Sequence, residues 1–192
     1  MLPFIDHART FGRRPEEFAA YAEGQTPQVL FITCADSRVV PALITGARPG
    51  ELFELRTAGN IVPPYALERP TSEAATIEYA VDVLGVKDVV VCGHSHCGAV
   101  GALVRGDDLN AVPAVRDWLR SATPRPKGAA EDPAVAEGVQ NHVLTQLLRL
   151  RSYPCVAAKL DRGELNLHAW YYEVHTGAVL AHRPQTDTFT AL

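Results

Sequence analysis

Neither a surplus of basic residues, nor a long apolar run, nor an internal repeat is present in this 192-residue chain, and each absence removes a class of protein. Lysine and arginine total 18 against 22 aspartate and glutamate, for a formal net charge of −4 and a pI near 6.0. That balance argues against nucleic acid as the main partner. The basic residues Arg120, Arg125 and Lys127 are interrupted by proline, glycine and acids and read as a solvated surface. The apolar run at residues 89–92 suits a buried strand and is far too short to cross a bilayer. Asp6 breaks the stretch where a secretory signal would continue, so the cytoplasm is the expected compartment. Cysteines are few: Cys34, Cys92, Cys97 and Cys155. In a reducing compartment they are not a disulfide framework, so each thiol is either packed or chemically employed.

What is there is ordinary globular material, 47% hydrophobic and 21% charged, enough for a core in one domain over residues 1–192. Residues 1–24 read as an N-terminal arm, with a short helix over 15–24 opened by Pro15 and closed by Gly24. Residues 28–33, 51–57 and 88–92 read as strands. Ile77, Val81 and Leu84 share a face of a helix over 71–85 that Gly85 caps. Helices are expected over 98–105 and 112–121, and Val139, Val143, Leu147 and Leu150 line a longer one. Residues 123–133, rich in proline and glycine, read as a surface loop. Cys155 follows Pro154 at an expected strand start, and residues 164–174 and 178–182 read as strands about a turn at Thr176-Gly177. Strands alternating with helices predict an α/β fold: a mainly parallel sheet flanked by helices, with an edge strand added near the end.

Two segments carry chemistry. Cys34-Ala35-Asp36-Ser37-Arg38 follows the first expected strand, and Gly93-His94-Ser95-His96-Cys97-Gly98 follows the strand at 88–92. Both therefore sit at the carboxyl ends of parallel strands, where open α/β sheets place ligand sites. Thiolate and imidazole are zinc ligands, and three of them leave a fourth position for water. His94 and Cys97 can meet one metal from a single turn, with Cys34 as the third ligand. Taken singly, these residues are more often packed thiols and a satisfied core histidine; together they become specific. A carboxylate at Asp36 can accept the proton of a metal-bound water in a hydrogen bond, with Arg38 holding it ionised and aimed. The bland alternative is an Asp–Arg surface pair of little worth. Asp36 could also leave Arg38 and occupy the fourth position as a ligand in a closed state. Two thiolates and an imidazole neutralise Zn2+, so the bound water should be less acidic than in a three-histidine site. His96, between two ligands, could relay protons to buffer, although packing at a turn or interface is the commoner role for such a histidine; His142 and Trp170 read as packing, and Asn141 and Gln146 as groups that bond backbone at a dimer interface.

These segments resemble the zinc and dyad motifs of β-carbonic anhydrases. The resemblance extends through Pro49-Gly50-Glu51-Leu52-Phe53, Arg56-Thr57-Ala58-Gly59-Asn60-Ile61-Val62-Pro63-Pro64 and Glu73-Ala74-Ala75-Thr76-Ile77-Glu78-Tyr79-Ala80. It implies reversible hydration of CO2 to bicarbonate and a proton by zinc-bound hydroxide, with one Zn2+ per subunit. It implies Asp36 and Arg38 as the catalytic pair and Gln25, Phe53, Ala58, Tyr79 and Gly98 around the substrate, Gln25 reaching from the partner subunit. It implies a homodimer through swapped N-terminal helices, with tetramers or larger assemblies open. A regulated bacterial branch has tryptophan three residues before the first zinc cysteine; Phe31 stands there, while Arg56 of that inhibitory site is retained. This departure implies the open, plant-like form. Two alternatives stay open: a COS or CS2 hydrolase on the same fold, and a non-catalytic zinc-binding scaffold.

Overall fold

A computed structural model describes residues 2–12, 15–122 and 126–192. Six strands form one sheet: β1 (Val29–Cys34), β2 (Leu52–Thr57), β3 (Asp88–His94), β4 (Asn166–Tyr172), β5 (Val179–Arg183) and β6 (Thr188–Ala191). The order is β2-β1-β3-β4-β5-β6. The first four strands run parallel, and β5 and β6 extend the edge antiparallel. The α/β expectation therefore holds, with two antiparallel edge strands where one was expected.

The helices are α1 (Leu2–Phe11), α2 (Pro15–Phe18), α3 (Pro41–Thr45), α4 (Ser72–Glu78), α5 (Gly98–Arg105), α6 (Pro113–Ala122), α7 (Ala136–Leu150) and α8 (Pro154–Asp161). Three differ from the sequence reading. The 15–24 helix is α-helical only through Phe18 and then tightens to a 3₁₀ turn over Ala19–Glu23, with α1 ahead of it. The 71–85 helix widens after Glu78 into a π turn, closed by Leu84 N–H donating to Tyr79 O at 2.9 Å. Cys155 lies in α8 rather than in a strand: Pro154 sits at the first helical position, where its missing N–H and fixed φ suit a helix start. Of the expected 123–133 loop, residues 123–125 lie outside the described residues, and 126–133 contain neither helix nor strand.

The period of two along each strand sorts the core. Leu30, Ile32, Val89 and Val91 point to one face, where they are buried with Ile77, Val81, Val139, Val143 and Leu150. Phe31, Val90 and Cys92 point to the other, and Phe31 meets Trp170 edge to face at 5.8 Å. Gly93 explains how closely α7 lies on β3: a Cβ there would fall 2.5 Å from Val139 Cγ1 and 2.6 Å from Val143 Cγ2. Register completes the placement. Cys34 ends β1 opposite Thr57, and His94 ends the adjacent β3 opposite Tyr172, so both reach the same carboxyl edge of the sheet.

Candidate metal centre

Three turns leave that edge. Cys34 closes β1 and the chain bends through Asp36 and Arg38; β3 ends at His94; Cys97 precedes α5 in extended conformation. The ligand atoms of Cys34, His94 and Cys97 all lie within 4.8 Å of one another, and all three residues are buried. This is the one such group among the described residues.

The donor set fits a metal ion. His94 Nδ1 lies 2.9 Å from the Ser95 carbonyl, which can only accept, so Nδ1 carries the proton. Nε2 is then left with its lone pair, buried and without a hydrogen-bond partner among the described residues. An orphaned imidazole nitrogen beside two thiols is costly unless a cation completes it. Hydrogen bonding from Cys97 is the largest influence on Cys34 and pulls its pKa well below the usual thiol range against the opposing effect of burial. The same contact, with burial, pushes Cys97 up. Cys92 and Cys155 stand apart as packed thiols, raised by burial to about 12 and about 11.

Asp36 and Arg38 form a fork. Arg38 Nε donates to Asp36 Oδ1 at 2.9 Å and Nη2 to Oδ2 at 2.7 Å, and the Arg38 backbone N–H adds a bond to Oδ1 at 2.9 Å. Arg38 Nη2 also donates to the His96 carbonyl at 3.1 Å. The guanidinium holds the Asp36 carboxyl well below the usual carboxylate range. Oδ2 lies 3.8 Å from His94 Nε2, so this edge of the carboxylate faces the cluster.

Other predicted site residues divide. Gly98 opens α5 directly after Cys97. Ala58 follows β2 at the same sheet edge, and its carbonyl accepts from Trp118 Nε1–H at 2.9 Å. Phe53 and Tyr79 meet with ring centroids 5.9 Å apart. Phe53, however, pairs in register with Leu30 rather than Cys34, about 13 Å short of the metal-facing end at the rise of a strand. Gln25 is exposed in the segment before β1. One chain therefore does not bring Gln25, Phe53 and Tyr79 to the cluster. A groove of about 490 Å³ lined by Phe31, Val90, His168 and Trp170 opens on the opposite sheet face and holds none of the cluster residues.

Several contributors are not evident from motif spacing. Arg56 spends its guanidinium on the Cys34–Val39 turn, donating to Cys34 O at 3.2 Å, Asp36 O at 2.9 Å and Val39 O at 2.7 Å. Ser95 Oγ accepts from Val174 N–H at 3.0 Å. Gly59 N–H donates to Cys34 Sγ at 3.4 Å. Asn141 Nδ2 donates to Lys127 O at 3.0 Å, and Gln146 Oε1 accepts from Val62 N–H at 2.9 Å, both within the chain. His96, with φ 57°, sets its ring 5.9 Å from that of His175.

A parallel sheet with two cysteines and a histidine converging at its carboxyl edge, beside an Arg-clamped aspartate, defines a small class of metalloenzymes. The carbonic anhydrase family matches residues 29–179, and the chain belongs to it. It is 45% identical over 185 residues to a carbonic anhydrase of Pseudomonas aeruginosa, covering 93% of this chain and 84% of that one. It is 44% identical over 190 residues to one of Synechococcus elongatus, covering 94% and 70%. Among solved structures, the β-carbonic anhydrase CcaA superposes with a TM-score of 0.90 at 38% identity over 100% of this chain and 99% of that one. A tetrameric β-carbonic anhydrase from Sordaria macrospora gives 0.74 at 26% identity over 93% and 91%.

Proposed function

We propose that this protein catalyses the reversible hydration of CO2 to bicarbonate and a proton, with one Zn2+ per subunit held by Cys34, His94 and Cys97. The observation that carries the reading is the bare Nε2 of His94, fixed in the ligating tautomer between two buried thiols. Zinc, when bound, supplies Lewis acidity that makes a coordinated water a nucleophile near neutral pH.

The chain's own groups do the rest. Asp36, held ionised by Arg38, is too weak a base to keep a proton. Its Oδ2 instead accepts a hydrogen bond from the attacking oxygen and so turns that oxygen's lone pair toward the carbon of CO2. The fork to Arg38 supports the open arrangement, because a carboxylate with both oxygens engaged is withheld from the metal. Gly98, at the start of α5, offers a backbone N–H to the bicarbonate product. CO2 is apolar and neutral, so its desolvation beside Ala58 costs little.

Gln25, Phe53 and Tyr79 stand away from the cluster of their own chain, which favours a homodimer in which one subunit supplies them to the other. The Sordaria relative's tetrameric state accords with such pairing. Residues 1–24 then serve as an arm on a single domain spanning 1–192. Phe31, buried against Trp170, and Arg56, committed to three carbonyls of the metal turn, favour an enzyme without an inhibitory bicarbonate site. Four unpaired thiols suit the cytoplasm, and no helix among the described residues is long and apolar enough to cross a membrane. The intact Asp36–Arg38 pair counts against a metal-binding scaffold without activity.

Turnover of CO2, COS and CS2 by the zinc-loaded protein tests the reading. CO2 should be hydrated fastest. Preference for either sulfur analogue would redirect it, and inertness toward all three would leave only a scaffold.

A further inference from the structure

Two helices outside the ligand set grip the backbone that touches the Cys34 sulfur. The Gly59 N–H that donates to Cys34 Sγ at 3.4 Å shares a peptide plane with the Ala58 carbonyl, which accepts from Trp118 Nε1–H on α6 at 2.9 Å. The next peptide presents the Gly59 carbonyl to His142 Nε2 on α7 at 2.8 Å. A carbonyl can only accept, so Nε2 carries the His142 proton. Its Nδ1 is buried with no hydrogen-bond partner among the described residues. Burial lowers the His142 pKa to about 4, which keeps the ring a neutral N–H donor at neutral pH. The backbone between these grips needs holding: Gly59 has φ +78° and Asn60 φ 47°, both left-handed, and a Cβ at Gly59 would sit 3.1 Å from Ala99 Cβ.

We propose that Trp118 and His142 are positioning residues of the metal centre, which fix the peptides on either side of Gly59 so that its N–H is aimed at the Cys34 sulfur and draws electron density from the thiolate. The proposal rests on the reading of Cys34 as a metal ligand. Donation from Trp118 to the Ala58 carbonyl polarises the Gly59 N–H of the same peptide, whereas donation from His142 to the Gly59 carbonyl acts on that N–H by fixing the orientation of the glycine backbone. A hydrogen bond to a ligating sulfur leaves less charge for the metal, which then keeps more of its Lewis acidity. In a site whose two thiolates cancel the charge of Zn2+, this works in the direction that water activation requires. Trp118 and His142 thus act on opposite sides of one glycine, neither of them touching the metal or the substrate.

The test uses the Co2+-substituted protein, whose thiolate-to-cobalt charge-transfer band reads the electron richness of the sulfurs, together with the pH–rate profile of the zinc enzyme. Trp118→Phe keeps an aromatic ring and removes the N–H. His142→Leu removes the other donor, and His142→Gln restores one. Trp118→Phe and His142→Leu should move the band to lower energy and raise the pH midpoint of CO2 hydration by roughly 0.5 unit, the scale of one modest hydrogen bond. His142→Gln should bring both back toward wild type. Should His142→Leu fail to fold, Trp118→Phe decides alone. A folded Trp118→Phe protein with unmoved band and midpoint would overturn the proposal, as would His142→Gln shifting as far as His142→Leu. A wild-type cobalt protein with no thiolate band would remove Cys34 from the ligand set and take the metal reading with it, whereas a wild-type band unmoved in the variants sinks this proposal alone.

Discussion

Acidification should cost this protein stability in part through one buried side chain that touches neither metal nor substrate. His142 is fully buried on α7, and burial, the leading cause, lowers its pKa from 6.5 to about 4. Between those values the unfolded chain takes up a proton that the folded chain refuses. Stability therefore rises with pH across this window: it is fully present above about 6.5 and is lost as pH falls toward 4. A gap of about 2.5 pH units, at about 1.36 kcal/mol each, amounts to about 3 kcal/mol. That is a large share of the roughly 5–15 kcal/mol by which a domain is stable. Urea unfolding of wild type and His142→Gln, compared at pH 7.5, 5.5 and 4.5, isolates the effect. Metal release and carboxylate protonation act on both proteins, so their difference belongs to residue 142. Wild type should lose about 2–3 kcal/mol more than the variant across the range. Parallel pH dependences would refute the reasoning, because they would mean that the imidazole is protonated as readily inside the fold as outside.

Other outcomes follow from the site and its support. Arg38→Leu should cut kcat by about 100-fold in stopped-flow CO2 hydration while the protein keeps its metal, because Asp36 loses both side-chain bonds that aim it. Gly93→Ala should destabilise by about 1–3 kcal/mol in thermal or urea unfolding, since the new methyl must displace Val139 and Val143; Val143→Ala in the same chain should recover part of the loss. Turnover of the wild-type zinc enzyme should climb through the mildly alkaline range, because two thiolates and an imidazole leave zinc without the +2 charge of a three-histidine site; a rate flat from acidic pH upward would contradict that electrostatic argument.

The metal residues were legible because each lies in a short local motif at a strand end, and alternation of strands with helices is enough to bring two such ends together. Asp36 and Arg38 were legible for the same reason: two residues apart on one turn, they must meet. The fold's departures from expectation lie where local signals are ambiguous. Pro154 opens helices and flanks strands alike, so Cys155 reads as a strand residue although it lies in α8. The π turn after Glu78 interrupts a pattern that reads as continuous helix, because one extra residue per turn leaves no mark in composition. The roles of Arg56, Trp118 and His142 depend on which carbonyls they face across 17 to 83 residues of chain. Spacing carries no such information, and His142 reads as a packed histidine until its acceptor is visible. Phe53 and Tyr79 are singled out only by family resemblance, and in one chain they pack against each other away from the cluster, where spacing along the sequence says nothing of them.

Metal content and turnover, measured together on wild type and Cys34→Ala, bear most directly on the whole account. Wild type should carry one zinc per chain and hydrate CO2, and the variant should lose stoichiometric metal along with activity. Wild-type protein purified without stoichiometric metal yet fully active, or a Cys34→Ala enzyme that turns over as fast as wild type, would contradict it.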